Sequence, residues 1–119
     1  MTVRRLAVVL VALATAVGIT ASSVLGAPAQ AQATTVKVSA VDLGFKLSTK
    51  RAKAGKVTFK VTNTGFLKHD FWIAGKKTPL LAHGKTATIV ATIKKGKNAY
   101  KCTVAGHANG GMKGFFIGT

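Results

Sequence analysis

The chain has 119 residues, with 18 Lys and Arg against two Asp and no Glu, a formal net charge of +16, and it carries three histidines, two methionines and one cysteine. That length points to one domain, and a lone cysteine excludes an internal disulfide. Two carboxylates and three histidines leave too few groups for an oxygen-binding histidine cluster, and no motif sets them out as a hydrolytic triad.

The chain opens on Arg4 and Arg5, then runs through LAVVLVALATAVGIT (Leu6 to Thr20) into small residues that include APAQAQA. A basic start, an apolar run and Ala-x-Ala sites ending at Ala29, Ala31 or Ala33 are the parts of a secretory signal peptide, so residues 1–33 are assigned to it. The rival reading is an uncleaved anchor, because Leu6 to Gly26 just reaches the about 20 apolar residues a spanning helix needs. The small-residue region favours removal, giving an exported protein, periplasmic or secreted, with no transmembrane span left. No cysteine stands at the cleavage site to carry a lipid. Residues 34–119 then form a domain of 86 residues, large enough for one core without staples. It holds 15 lysines, Arg51 and both acids, a balance of +14.

Along that domain the apolar period is two. TTVKVSAVDLGFKLST alternates through Val36, Val38 and Ala40, breaks at Asp42–Gly44, and resumes at Phe45 and Leu47. KVTFKVTNTG places Val57, Phe59 and Val61 on one face and Lys56, Thr58 and Lys60 on the other. HDFWIAG is a short apolar run opened by His69, KTATIVATIKKGK is rich in threonine and β-branched residues, and NAYKCTV and KGFFIGT are the last two runs. Turn signals separate them at Ala54–Gly55, Asn63–Gly65, Gly75–Pro79, Lys95–Asn98 and Gly106–Gly111. No window of 34–119 gives an amphipathic helix. About seven short strands at this spacing predict an all-β, antiparallel sandwich or Greek-key barrel. Phe71 and Trp72 are assigned to the core.

The last two runs flank YKCTVAGHANGGMKG, residues 100–114, which would be the loop joining two adjacent strands. Four residues separate Cys102 from His107 and four separate His107 from Met112. Thiolate, imidazole and thioether are soft and borderline donors, and two His, one Cys and a weak axial Met make a mononuclear blue-copper centre. A second histidine must come from elsewhere, and His69, 33 positions before the cysteine, is the better candidate. Taken singly, Cys102 and Met112 would read as core filler, and His69 as a strand cap. His83, in LLAHGKT, has no partner residues nearby; it reads as a turn histidine that could compete with His69.

With these motifs in place the sequence resembles the cupredoxins, the plastocyanin and azurin family of blue-copper proteins, over about residues 34–119. GKVTFKVTNTGFLKHDFWIAG and NAYKCTVAGHANGGMKGFFIG carry the likeness. It implies a Greek-key sandwich of seven to eight strands, copper ligands His69, Cys102, His107 and Met112, and one-electron transfer between Cu(I) and Cu(II). It also implies an outer tie between Asp70 and Thr103, where Asp70 departs from the family's commoner asparagine. A carboxylate there favours the oxidised site and so a lower potential than an amide. By resemblance His107 is the electron port, rimmed by Phe66, Leu67, Pro79, Leu80 and Ala108, with Lys68, Lys76, Lys77 and Lys113 orienting a partner. The partner expected is an acidic redox protein or an anionic cell-surface component, with the carrier a monomer. Nucleic acid is disfavoured, since its readers want arginine and stacking aromatics.

These expectations describe an electron carrier and not an enzyme. Oxidase or nitrite chemistry would need further histidine-bound copper, and zinc hydrolysis an open coordination position. Two alternatives use the same residues: copper buffering or delivery, for which one methionine is few, and a basic polyanion-binding sandwich whose metal is incidental.

Overall fold

The structure, a computed structural model, describes residues 34–119 and Gly18; the signal-peptide assignment falls outside the described residues but for that glycine. Among the described residues there is no helix, hence none long and apolar enough to cross a membrane. Nine strands form two sheets: β1 Thr34–Val41, β2 Gly44–Leu47, β3 Arg51–Ala52, β4 Gly55–Asn63, β5 Trp72–Ile73, β6 Lys76–Lys77, β7 Thr86–Ile93, β8 Gly96–Lys101 and β9 Lys113–Gly118. The first sheet runs β2-β1-β4-β7 and the second β3-β9-β8-β5-β6, so the chain passes from one sheet to the other five times.

Period two sets which side chains go inward. In β4, Val57, Phe59 and Val61 are buried while Lys56 and Lys60 face water. Parallel pairing with β1 sets Val36 beside Phe59 and Val38 beside Val61. Ala91 and Ile93 of β7 complete this apolar face. From the second sheet come Ile73, Tyr100 and Phe116, joined by Phe71 and Leu81 from the connecting segment. Edge-to-face rings lock the two layers, with Phe59 on Phe116 at 5.3 Å and Phe45 on Phe71 at 5.2 Å between centroids. Such pairs add to the stabilisation their burial alone provides.

Three sequence expectations need correction. The sandwich is not wholly antiparallel: β1 lies parallel to β4, and β3 parallel to β9. Both pairs join strands distant in sequence, so no hairpin dictates their direction. The Lys95–Asn98 turn is shorter than expected, because β8 starts at Gly96 and Asn98 is already paired with Phe116. Trp72 does not belong to the dry core. It is half-buried, on the sheet face opposite Ile73, with the Lys101 ammonium 5.4 Å from its ring centre.

Candidate metal centre

At the end of the sandwich where β1, β4 and β8 stop, a small second cluster of Ala40, Cys102 and Met112 is buried, with Phe45 and Val104 packed against it. Cys102 directly follows β8. Its N–H donates to the Met112 carbonyl at 3.0 Å, carrying the β8–β9 ladder one step past Lys101 and Lys113. The hairpin thus holds Cys102 and Met112 side by side. Between them the chain closes into a compact loop: His107 N–H donates to Val104 O, and Met112 N–H to His107 O, each at 3.0 Å. Gly111 sits at φ 124°, and a Cβ there would lie 2.8 Å from the Leu43 carbonyl, so this corner is shaped for glycine.

His69 arrives from the loop after β4. It occupies an isolated bridge, its N–H to Leu81 O at 3.1 Å and Leu81 N–H to His69 O at 2.7 Å, rather than opening a strand as expected. The strand β5 begins three residues later. Asn63, at the end of β4 and fully buried, organises this approach: its amide donates to the carbonyls of Leu67 and Leu81, at 2.8 and 2.7 Å, and accepts from Gly65 N–H. Each buried polar group is thereby satisfied.

These segments bring one donor atom each from His69, Cys102 and His107 within 4.8 Å of one another. The Nδ1 atoms of the two histidines are 3.1 Å apart, and Cys102 Sγ lies 3.7 Å from His107 Nδ1. His69 and Cys102 are buried, while His107 is half-exposed. Burial pushes the Cys102 thiol above its ordinary pKa; the backbone amides of Asp70 and Val104 oppose that rise and the Asp70 charge adds to it. Met112 is fully buried in the cluster that contains Cys102. His83 stands outside the group. Its ring stacks on Phe66 and its Nδ1 meets the Gly65 carbonyl at 2.7 Å, so it does not compete with His69.

The expected outer tie is present. Asp70 accepts from Thr103 N–H at 2.6 Å and from the Thr103 hydroxyl, joining the His69 segment to the Cys102 segment. A second carboxylate escaped the sequence reading: Asp42 Oδ1 lies 2.9 Å from His69 Nε2. The same carboxylate accepts from Phe66 N–H and Leu67 N–H, each at 3.0 Å. These bonds, Phe66's first and then the one from His69, hold Asp42 down at a pKa of about 2. The only sequence signal was the break in alternation at Asp42–Gly44, and nothing in it pointed to a partner 27 positions downstream.

Solved structures share this architecture. The dithionite-reduced auracyanin of Roseiflexus castenholzii matches at TM-score 0.62 and 19% identity, over 73% of this chain and 98% of that one. Auracyanin B matches at 0.62 and 21% identity, over 73% and 89%. An azurin of Methylomonas sp. strain J, Az-iso2, matches at 0.58 and 15%, over 72% and 98%. The chain has the cupredoxin fold. Neither a family model nor a curated sequence matches it. The sandwich accounts for the placement of the site: its residues come from the β8–β9 loop and from the segment between β4 and β5.

Proposed function

We propose that this protein is an exported mononuclear blue-copper electron carrier, with His69, Cys102, His107 and Met112 as its ligands. The observation that carries the reading is the convergence of two imidazoles and one thiol within 4.8 Å, two of the three buried. The donor set fits copper in chemistry, since nitrogen and thiolate donors with a nearby thioether suit both Cu(I) and Cu(II). Copper supplies a one-electron couple and nothing more.

The chain's own residues do the rest. Cys102 and His107 are fixed by the loop's backbone hydrogen bonds, and His69 by its bridge to Leu81. Asp70 and Thr103 tie the two segments together. Ligands so held keep their geometry when the charge of the site changes. Ala40, Phe45 and Val104 exclude water from the sulfur side. His107, the half-exposed ligand, is the port. Phe66, Leu67 and Leu80 are exposed on segments leading to and from His69 and give a docking partner an apolar rim. A copper ion held by His69, Cys102, His107 and Met112 would have its ligands supplied by the protein, which favours carrying electrons over catalysis. The signal-like pattern of residues 1–33 supports export, and the surface charge suits an acidic redox partner.

Adding Cu(II) to the purified protein tests this directly. An intense visible thiolate-to-copper band is expected, absent in Cys102→Ser and altered in His69→Ala. A colourless wild-type protein, or a band untouched by Cys102→Ser, would overturn the proposal. Fast copper release with slow electron self-exchange would favour a copper-delivery role.

A further inference from the structure

We infer that Asp42 is a positioning residue for the metal centre: its carboxylate holds the His69 ring through the Nε2–H, so that Nδ1 is presented toward His107 and Cys102. This deepens the function proposed above and rests on His69 being a ligand.

Both nitrogens of the fully buried His69 are assigned by what they meet. Nε2 faces Asp42 Oδ1 at 2.9 Å, and Nδ1 faces His107 Nδ1 at 3.1 Å. An ionised carboxylate only accepts, so Nε2 carries the proton and the lone pair of Nδ1 points into the site. The hydrogen bond made by one ring nitrogen decides which tautomer presents the other to a metal.

Asp42 is itself placed with care. Two backbone donors fix the carboxylate, Phe66 N–H on Oδ2 and Leu67 N–H on Oδ1, the oxygen that also meets His69. Gly65 makes room for it, because a Cβ there would strike Asp42 Oδ1 and come within 2.8 Å of the Asp42 nitrogen. The next residue, Leu43, takes the left-handed conformation at φ 61°, and the space beside Gly110 and Gly111 is filled by its side chain and its carbonyl. The single β1–β2 turn therefore touches both loops that form the site: the His69 loop through Asp42 and the His107–Met112 loop through Leu43. A backbone carbonyl or a water could orient an imidazole equally well. A carboxylate adds negative charge one ring away from the metal position, which makes the imidazole a stronger donor and favours Cu(II).

The test compares wild type with Asp42→Asn and Asp42→Ala. Ring-nitrogen NMR of the metal-free wild type should show His69 protonated at Nε2, with a slowly exchanging proton that Asp42→Ala loses. Titration with Cu(II) should show metal affinity lower by about 10–100-fold in Asp42→Ala. The reduction potential should rise in Asp42→Asn, which is the same size but uncharged. Wild-type His69 protonated at Nδ1, or folded variants with unchanged ring signals, affinity and potential, would reduce Asp42 to a brace for the Phe66–Leu67 turn. If Asp42→Ala does not fold, the wild-type ring signals and Asp42→Asn still decide. A wild type that takes up no copper would sink the proposed function, while the ring signals would still report whether Asp42 sets the tautomer.

Discussion

Asp70 and Asp42 are the only side-chain carboxylates in the chain, and both serve the candidate metal centre, Asp42 at His69 and Asp70 at Thr103 beside Cys102. Asp70 is buried and receives both the N–H and the hydroxyl of Thr103, the residue after the cysteine. Its charge is felt at the Cys102 sulfur, where it adds to the rise in thiol pKa. Replacing it by asparagine removes that charge, destabilises the oxidised site and should raise the reduction potential; a lower value in Asp70→Asn would refute this. Asp42 permits a second prediction, on the metal-free fold. Its pKa falls from 3.8 to about 2 on folding, so the native state binds the proton less well than the unfolded chain does. The stabilisation is complete above pH about 4 and is lost as pH falls toward 2. Acid unfolding of the metal-free protein should therefore steepen in that window, and Asp42→Asn should flatten it. An acid transition unchanged by the substitution would show that the carboxylate's bonds do not stabilise the fold.

At the level of elements, the segment between β4 and β5 brings His69 to the site, and Asn63 is its hinge pin. Replacing Asn63 by alanine strips hydrogen bonds from the Leu67 and Leu81 carbonyls and from the Gly65 amide, all beside a fully buried side chain. The Leu81 carbonyl keeps His69 N–H and the Gly65 amide keeps the Ala40 carbonyl, but the Leu67 carbonyl loses its partner. Leaving such a group unpaired costs about 1–3 kcal/mol, so Asn63→Ala should lower the thermal midpoint by several degrees and speed hydrogen exchange at His69. An unchanged midpoint would mean that water replaces the amide without loss. What the sequence disclosed follows the same division. The long strands β1, β4 and β7 were legible because one face of each is dry and the other wet, and the Cys102–His107–Met112 loop because rare residue types are bunched there. The two-residue strands β3 and β6 were not, since two residues carry no period, and β5 showed only as part of the longer run HDFWIAG. The Trp72 assignment failed for a related reason: an aromatic in a short apolar run can face either way, and here Lys101 covers its outward ring. Asp42 stayed hidden because its role depends on a tertiary contact with His69, which no spacing encodes.

Over the whole molecule the two signs of charge are segregated. All 16 Lys and Arg of residues 34–119 are exposed, and among the described residues neither carboxylate pairs with a lysine or arginine, Asp42 meeting His69 instead, so no surface lysine is neutralised. Part of this charge serves the fold: β6, at an edge of the second sheet, consists of two lysines, which deter pairing with another sheet. The remainder leaves residues 34–119 strongly cationic, at a balance of +14, and that has opposite consequences for two encounters. Two copies repel, so electron self-exchange should be slow at low ionic strength and quicken as salt shortens the Debye length from about 30 Å at 0.01 M to about 10 Å at 0.1 M. An acidic partner is attracted, so its electron-transfer rate should fall over the same range. Measuring both rates on one preparation removes any effect of salt on the centre itself, because such an effect would move both in the same direction. Opposed salt slopes are the expected result. Parallel slopes, or none, would mean that the apolar residues Phe66, Leu67 and Leu80 govern the encounter and that the lysines merely solvate the sandwich.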